Sequence, residues 1–242
     1  MSSKESSGNR PALPRRPVNA RPLPTWYTEA VPSGRWVDFT GTGCDLQVIV
    51  LIDVVGSARH DSSRQKRMRN DLFDIVDGVA EYAGFELSRL PVSDMGDGLR
   101  LILSPGVIKP TRVVDQVVLG LLANLREHRR TVNEAARIRL RVAFDLGVVE
   151  PHRSGWSGDP LVKIARLVDA YPLRQALDEN RSLDLAAVVS DVLFETVVRH
   201  GYGYIGPACF QSIRVKVKEL DARAWLYVPP PVTCGRCDKV PA

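Results

Sequence analysis

Cysteine and histidine are scarce in this sequence, and long apolar runs are missing. The chain has 4 cysteines and 4 histidines in 242 residues, and its N-terminus lacks the apolar segment of a secretory signal. Without an export signal, a reducing compartment is the default, so we expect no structural disulfides. No window approaches the run of about 18 apolar residues that a membrane-spanning helix needs. We therefore expect a cytoplasmic protein without a membrane partner.

Motifs of zinc sites and of common hydrolases are missing as well. Cys234-Gly235-Arg236-Cys237 is a single Cys-x-x-Cys pair, whereas a structural zinc site needs about four ligands. We interpret it as part of a flexible terminus, and the alternative is a zinc or redox clip across a dimer. There is no Gly-x-Ser-x-Gly segment, and the histidines show no triad spacing, so a Ser/His/Asp hydrolase has no support.

The sequence also lacks an excess of positive charge outside its N-terminal segment. Residues 1–35 hold 6 of the 33 basic and 2 of the 28 acidic side chains, which leaves 27 against 26 in residues 36–242. A groove that binds nucleic acid needs clustered positive charge on the folded part of the protein. We therefore predict no nucleic-acid partner.

Proline content divides the chain into three segments. Six prolines lie in residues 1–35, where they are incompatible with a helix or a central strand. We predict a disordered tail over residues 1–35, one catalytic domain over 36–230, and a flexible C-terminal tail over 231–242.

Hydrophobic periodicity in the folded part predicts an α+β protein. The β-branched run 46–52 is typical of a strand that is buried on both faces. A hairpin is predicted from 85–90 and 98–103, and further strands over 138–149, 213–218 and 222–228. Three-and-four spacing predicts helices over 62–83, 113–130, 160–168 and 190–199, with a continuation of the third past Pro172 left open. This order of elements predicts one sheet with helices packed on one face.

Two aspartates stand in similar local settings, each at the end of a predicted strand. Asp53 follows the buried strand and precedes a glycine turn, while Asp97 lies between two glycines at a hairpin tip. Neighbouring strands would bring the two carboxylates to a common ion, and hard oxygen ligands suit Mg²⁺ or Mn²⁺. Two-metal phosphoryl chemistry fits such a pair. The alternative is that each aspartate only hydrogen-bonds its own turn.

Five short segments then point to a known family. They follow one another in the family's order and match its metal strand, its hairpin, a later strand, a helix and a terminal strand: residues 52–58, 95–98, 141–147, 158–166 and 215–218. Over about residues 44–228 the chain resembles the catalytic domain of class III nucleotidyl cyclases, which have a ferredoxin-like (palm) antiparallel-rich sheet.

The resemblance implies a reaction and roles for particular residues. Asp53, Asp97 and the carbonyl of Val54 would bind two Mn²⁺ or Mg²⁺ ions that activate the ribose 3′-hydroxyl for attack on the α-phosphorus of a nucleoside triphosphate. Other positions match the family's substrate-binding residues. Arg166 matches the arginine that binds the α-phosphate, and Arg141 and Lys218 match the side chains that bind the β- and γ-phosphates. Gly56 and Ser57 match the turn after the metal strand. In this family the acids and the basic residues of one site come from different subunits, so a head-to-tail homodimer is implied.

The chain departs from the family where the base is recognised. Ser93 and Gly155 stand where purine-specific members have charged or thiol side chains, Val162 replaces an asparagine, and the bulky Trp156 adjoins the base-reading position. These changes resemble the bacterial antiphage Pycsar cyclases, so we expect a pyrimidine cyclase that makes cyclic UMP from UTP, with a separate effector that detects the product.

Three alternatives stay open. One is a purine cyclase in bacterial signalling, and another is a degenerate cyclase-like module that binds nucleotide without turnover. The third is a different two-metal palm enzyme, such as a cyclic dinucleotide synthase. That class would require a second acid at the hairpin, where Gly98 stands.

Overall fold

A computed structural model describes residues 45–57, 62–153 and 155–230. The two predicted tails, Ala58 and three of the four cysteines (Cys44, Cys234 and Cys237) lie outside the described residues. The strands are β1 (Asp45–Val54), β2 (Val92–Asp94), β3 (Gly98–Leu103), β4 (Leu140–His152), β5 (Gly155–Ser157), β6 (Leu185–Ser190), β7 (Phe210–Val217) and β8 (Leu220–Tyr227). The helices are α1 (Ser62–Ala83), α2 (Pro110–Thr131), α3 (Asp159–Leu167), α4 (Tyr171–Glu179) and α5 (Asp191–Thr196).

One mixed sheet organises these elements. Its strand order is β2-β3-β1-β4-β6-β8-β7, and β5 pairs with the end of β4. Strand β1 is central and pairs antiparallel with both β3 and β4, whereas β4 and β6 are parallel. The predicted α+β class is confirmed.

Strand β1 is buried on both faces, as its β-branched sequence predicts. Val50 and Ile52 are fully buried on one face. The alternating residues Ile49 and Leu51 belong to a hydrophobic cluster with Ile102 of β3 and the buried residues of α3 and α4, which we call the α3 cluster. Burial of these side chains fixes the register of β1, because a shift by one residue would exchange its two faces.

The long helices α1 and α2 pack against each other. Their apolar residues recur at three-and-four spacing, and their buried positions are Leu72, Phe73, Ile75, Val76, Val79 and Ala80 on α1, and Val113, Val114, Val117, Val118, Leu121 and Leu125 on α2. Pro110 opens α2, where a proline costs no intrahelical hydrogen bond. No helix within the described ranges is long and apolar enough to cross a lipid bilayer.

Two secondary-structure predictions were wrong, and strand β6 was missed. Residues 85–90 are not a strand: they hold the 3₁₀ turn Leu87–Arg89, closed by Leu90 N–H donating to the Leu87 carbonyl, and the strand that pairs with β3 is Val92–Asp94. Strand β6 was not predicted, because a short run with two alanines carries little β propensity. The helix predicted over 190–199 is shorter, since α5 spans Asp191–Thr196 and a separate 3₁₀ turn follows it.

The question of Pro172 is settled by a break between two helices. Helix α3 ends at Leu167, and α4 starts at Tyr171 with Pro172 in its first turn. A proline is tolerated there because its missing N–H would have no intrahelical partner.

Strands β1 and β3 approach each other most closely beside Asp53. Gly98 pairs with Asp53, and a Cβ atom added to Gly98 would lie 2.3 Å from the carbonyl oxygen of Ile52. Only glycine fits this position without displacement of one strand.

We predict that Gly98→Ala lowers the free energy of unfolding by about 1–3 kcal/mol, because the added methyl group overpacks the β1–β3 contact. Chemical denaturation measures it. Gly206→Ala is the matched control, since Gly206 has φ −65° and no neighbour within 4 Å of an added Cβ. Equal effects of the two substitutions would contradict the close-approach argument.

Candidate active site

Asp53 and Asp97 come together at one end of the sheet. Asp53 pairs with Gly98 in the β1–β3 ladder, and the Val54 N–H donates to the carbonyl of Asp97 at 3.0 Å. The hairpin tip is thereby bound to the end of β1. The negative charge of Asp97 raises the pKa of Asp53, so the two carboxylates lie within electrostatic reach of each other.

Arg141 forms a bidentate contact with Asp53. The two residues are direct partners in the β1–β4 ladder, and Arg141 Nε and Nη2 lie 2.8 and 2.5 Å from Asp53 Oδ2. Both side chains are largely buried, with exposures of 16% for Arg141 and 14% for Asp53. A second carboxylate, Asp169, lies 3.8 Å from Arg141 Nη1.

The pKa of Asp53 is raised above its ordinary value. Burial is the largest cause, because it disfavours the charged carboxylate. Arg141 opposes this effect through its charge and its hydrogen bond, while Asp97 and Asp169 add to it. The positive charge of Arg141 therefore favours the ionised form of Asp53 against the effect of burial.

The turn that follows β1 presents Ser57 and Gly56 beside the acids. Ser57 is buried, and its hydroxyl donates to Asp97 Oδ2 at 3.0 Å. Gly56 has φ +77°, a left-handed conformation that favours glycine, and the space around its Cα is open. This turn leaves room for a ligand next to the two carboxylates.

The donor set at this end suits a hard divalent cation. Asp53 contacts Arg141 through its Oδ2 atom, and Asp97 contacts Ser57 through its own Oδ2 atom. These contacts within the described ranges leave the two Oδ1 atoms for a ligand. Two carboxylates and the Val54 carbonyl are oxygen ligands of the kind that Mg²⁺ and Mn²⁺ accept, with water filling further positions. The described residues contain no group of three or more His, Cys, Asp or Glu that could form a closed metal site.

Arg166 and Lys218 form a separate group. Arg166 lies on α3, and its Nη2 is 3.2 Å from Oε1 of Glu219. Lys218 is exposed in the two-residue turn between β7 and β8, with φ +52°. Glu219 of the same turn therefore holds Arg166 close to Lys218.

The register of the strands places Lys218 and Glu219 at the far end of β8 from the acids. Arg141, opposite Asp53, pairs with Ala186 of β6, and the next residue, Ala187, pairs with Tyr227 at the end of β8. Lys218 precedes the start of β8. Since β8 has 8 residues, these ends are about 24 Å apart along the strand. One triphosphate group cannot span that length between the acids and Lys218 of a single chain.

The positions predicted to lie near the base are on β2, β5 and α3. Ser93 on β2 faces Arg100 of β3, whose Nη2 donates to the Ser93 hydroxyl at 3.2 Å. Gly155 and Trp156 are on β5, and the half-buried Trp156 packs against the α3 cluster. Val162 is 52% exposed on α3 and offers no polar contact.

Sequence reasoning missed Arg100 and a second polar pair. Asp145 is fully buried on β4, where it accepts a hydrogen bond from Lys163 Nζ at 3.0 Å, and its Oδ2 has no partner among the described residues. Arg100 is the one charged residue of β3, and Asp145 interrupts an apolar stretch of β4. An ionisable residue inside an apolar strand was the signal that could have found both.

The fold is that of adenylate and guanylate cyclase domains. An adenylate/guanylate cyclase/hydrolase from Silicibacter pomeroyi is 18% identical with a TM-score of 0.54, over 76% of this chain and 97% of that chain. Adenylyl cyclase CyaB from P. aeruginosa is 11% identical with a TM-score of 0.50, over 76% and 94%. The core of a rhodopsin-guanylyl cyclase in complex with ATPαS is 17% identical with a TM-score of 0.50, over 75% and 94%. No family model and no curated protein sequence matches the chain.

We predict that wild-type protein gains stability relative to Asp53→Asn as the pH falls from neutral. The raised pKa means that Asp53 binds its proton more tightly in the folded protein than in the unfolded chain. Proton binding therefore adds to the free energy of unfolding. The whole contribution is present below the pKa of the unfolded chain, and it is lost as the pH rises through the pKa of the folded protein. Urea denaturation at pH 3.0, 4.5 and 7.5 without divalent ions measures it, and the lowest pH is needed for the control variant Asp221→Asn.

Asp221→Asn is the control with the opposite sign. The hydrogen bond from Arg214 lowers the pKa of Asp221, so its contribution is present at neutral pH and is lost on acidification. Asp53→Asn also removes the carboxylate partner of Arg141. This loss changes the free energy of unfolding by an amount that depends little on pH. If both substitutions showed the same direction of pH dependence, the assignment for Asp53 would be wrong.

Proposed function

We propose that this protein is a nucleotidyl cyclase that converts a nucleoside triphosphate into a 3′,5′-cyclic nucleotide and pyrophosphate. The observation that carries the proposal is the juxtaposition of Asp53, Asp97 and the Val54 carbonyl at one end of a cyclase-like sheet. The 3′-oxygen forms a bond to the α-phosphorus, the bond to the pyrophosphate oxygen breaks, and the hydroxyl proton passes to solvent.

In this proposal the carboxylates of Asp53 and Asp97 hold two Mg²⁺ or Mn²⁺ ions. Such ions, when bound, lower the pKa of the attacking hydroxyl and neutralise charge on the leaving group. Arg141 keeps Asp53 ionised through its positive charge, and Ser57 orients Asp97 through the hydrogen bond to Oδ2. Gly56 opens the turn beside them to the triphosphate.

We propose further that the working unit is a homodimer. Arg166 and Lys218 are the side chains assigned to the phosphates, and Lys218 lies about 24 Å from the acids along β8. A second copy, packed head to tail, would place its Arg166 and Lys218 against the acids of the first copy. A closed two-fold arrangement then gives two complete sites.

The base is proposed to be a pyrimidine, with UTP as substrate. Neither Ser93 nor Gly155 offers a charged contact to a purine, and Trp156 fills space beside the base position. Since these substitutions resemble those of antiphage cyclases, we propose that cyclic UMP serves as a second messenger in antiphage defence and is detected by a separate effector.

Incubation of purified protein with Mn²⁺ and each of the four nucleoside triphosphates tests the activity. We expect cyclic UMP as the main product, and a loss of at least about 100-fold in Asp53→Asn and Asp97→Asn, because each removes a metal ligand. Glu127→Gln, on the exposed surface of α2, should retain activity. Cyclic AMP as the main product would refute the pyrimidine assignment, and full activity in both site variants would refute the two-metal mechanism.

Mixing inactive variants tests the shared site. An equal mixture of Asp53→Asn and Arg166→Ala should recover about a quarter of wild-type activity, because half of the dimers are mixed and each of these has one intact site of two. A mixture of Asp53→Asn and Asp97→Asn is the control, since both changes affect the same end of the chain and every site stays defective. Absence of recovery in the first mixture, with subunit exchange verified by labelled chains, would contradict the dimer.

A further inference from the structure

Arg100 lies on the same face of the sheet as Asp53. It pairs with Leu51 in the β1–β3 ladder, two residues before Asp53, and with Ser93 in the β2–β3 ladder. Side chains two residues apart on a strand share a face. Leu51 and Ile102, on either side of Arg100, belong to the α3 cluster, against which Trp156 also packs. The guanidinium therefore belongs to the face that holds the candidate site.

The side chain of Arg100 is poorly satisfied where it stands. Its Nη2 donates to the Ser93 hydroxyl, but its Nε is buried without a partner, and no described carboxylate pairs with it. Burial lowers the pKa of Arg100, although a guanidinium stays charged at neutral pH. A half-buried cation without a counter-ion among the described residues costs stability. A purely structural role would be served better by an apolar side chain, such as that of Ile102 on the same face of β3.

A neighbouring arginine shows what a structural ion pair looks like in this region. Arg69 of α1 reaches the same hairpin and contacts Asp94 Oδ1 at 2.7 Å, although its own Nε, like that of Arg100, has no partner among the described residues. Arg100 lies six residues after Asp94 in the sequence, but its polar partner is the Ser93 hydroxyl and not a carboxylate. The donors of Arg100 are thus left to a group from outside the described chain.

We propose that Arg100 is a specificity-determining residue that recognises the base of the substrate by donating to a carbonyl oxygen of its ring edge. This inference rests on the proposed function and extends it to the substrate. A guanidinium is a donor without an acceptor, so it favours a carbonyl and disfavours an amino group at the same position. Ser93 can accept the neighbouring ring N–H. Uracil and guanine present a carbonyl beside an N–H, whereas cytosine and adenine present an amino group there, so UTP is favoured over CTP and ATP.

Arg100→Gln tests the proposal, because an amide both donates and accepts and loses the preference for a carbonyl. We expect the ratio of kcat/KM for UTP to that for CTP to fall about tenfold or more. Arg130→Gln is the matched control: this arginine is 70% exposed on α2 and pairs with Glu127, so the same loss of charge there should leave the ratio unchanged. An unchanged ratio in folded Arg100→Gln would overturn the proposal.

A binding measurement separates this inference from the proposed function. Calorimetry with α,β-methylene UTP and α,β-methylene CTP, which do not cyclise, reports base selectivity without turnover. Weaker UTP selectivity in Arg100→Gln supports the inference even where no cyclic product forms. Weaker selectivity together with no cyclic product would reject the proposed cyclase activity but not the role of Arg100. Cyclic nucleotide formation with equal selectivity in wild type and Arg100→Gln rejects the role of Arg100 alone. Arg100→Lys, which keeps the charge, provides a second variant if the glutamine variant unfolds, and its selectivity should lie between the other two.

Discussion

The ion pair between Asp53 and Arg141 is the interaction on which the candidate site depends. Both side chains are largely buried, so each charge alone would carry a large desolvation cost, and the charge of Arg141 favours the ionised form of Asp53. The β1–β4 ladder makes the two residues direct partners, and this ladder runs through ten residue pairs, from Asp45 to Val54. The register that buries β1 on both faces therefore also sets the chemistry at its end.

Close packing at Gly98 completes this arrangement. Because Gly98 has no side chain, β3 can approach β1 beside Asp53, and the hairpin tip brings Asp97 to the same place. Asp97 raises the pKa of Asp53 while Arg141 opposes that change. The acids are thus balanced by one arginine, and a divalent cation would add further positive charge at a position already suited to it.

The sequence predicted the elements whose patterns are local. The apolar run of β1, the helical spacing of α1 and the turn glycines around Asp97 each indicate one structure. The residues 85–90 alternate too weakly to form a strand, and the short β6 is defined by its neighbours β4 and β8. Arg100 and Asp145 escaped notice because their importance comes from unpaired buried atoms, which depend on tertiary contacts. The pairing of Arg141 with Asp53 likewise follows from strand order, which composition and spacing do not specify.

Charge distribution gives a physical reason for the orientation of the proposed dimer. Asp53, Asp97 and Arg141 together carry a net negative charge, and Arg166, Lys218 and Glu219 together carry a net positive one. Two copies packed head to tail would set opposite charges against each other, which favours that orientation over the reverse. The acidic end attracts cations and the basic end attracts phosphates, so metal and substrate would themselves strengthen the pairing that assembles the site.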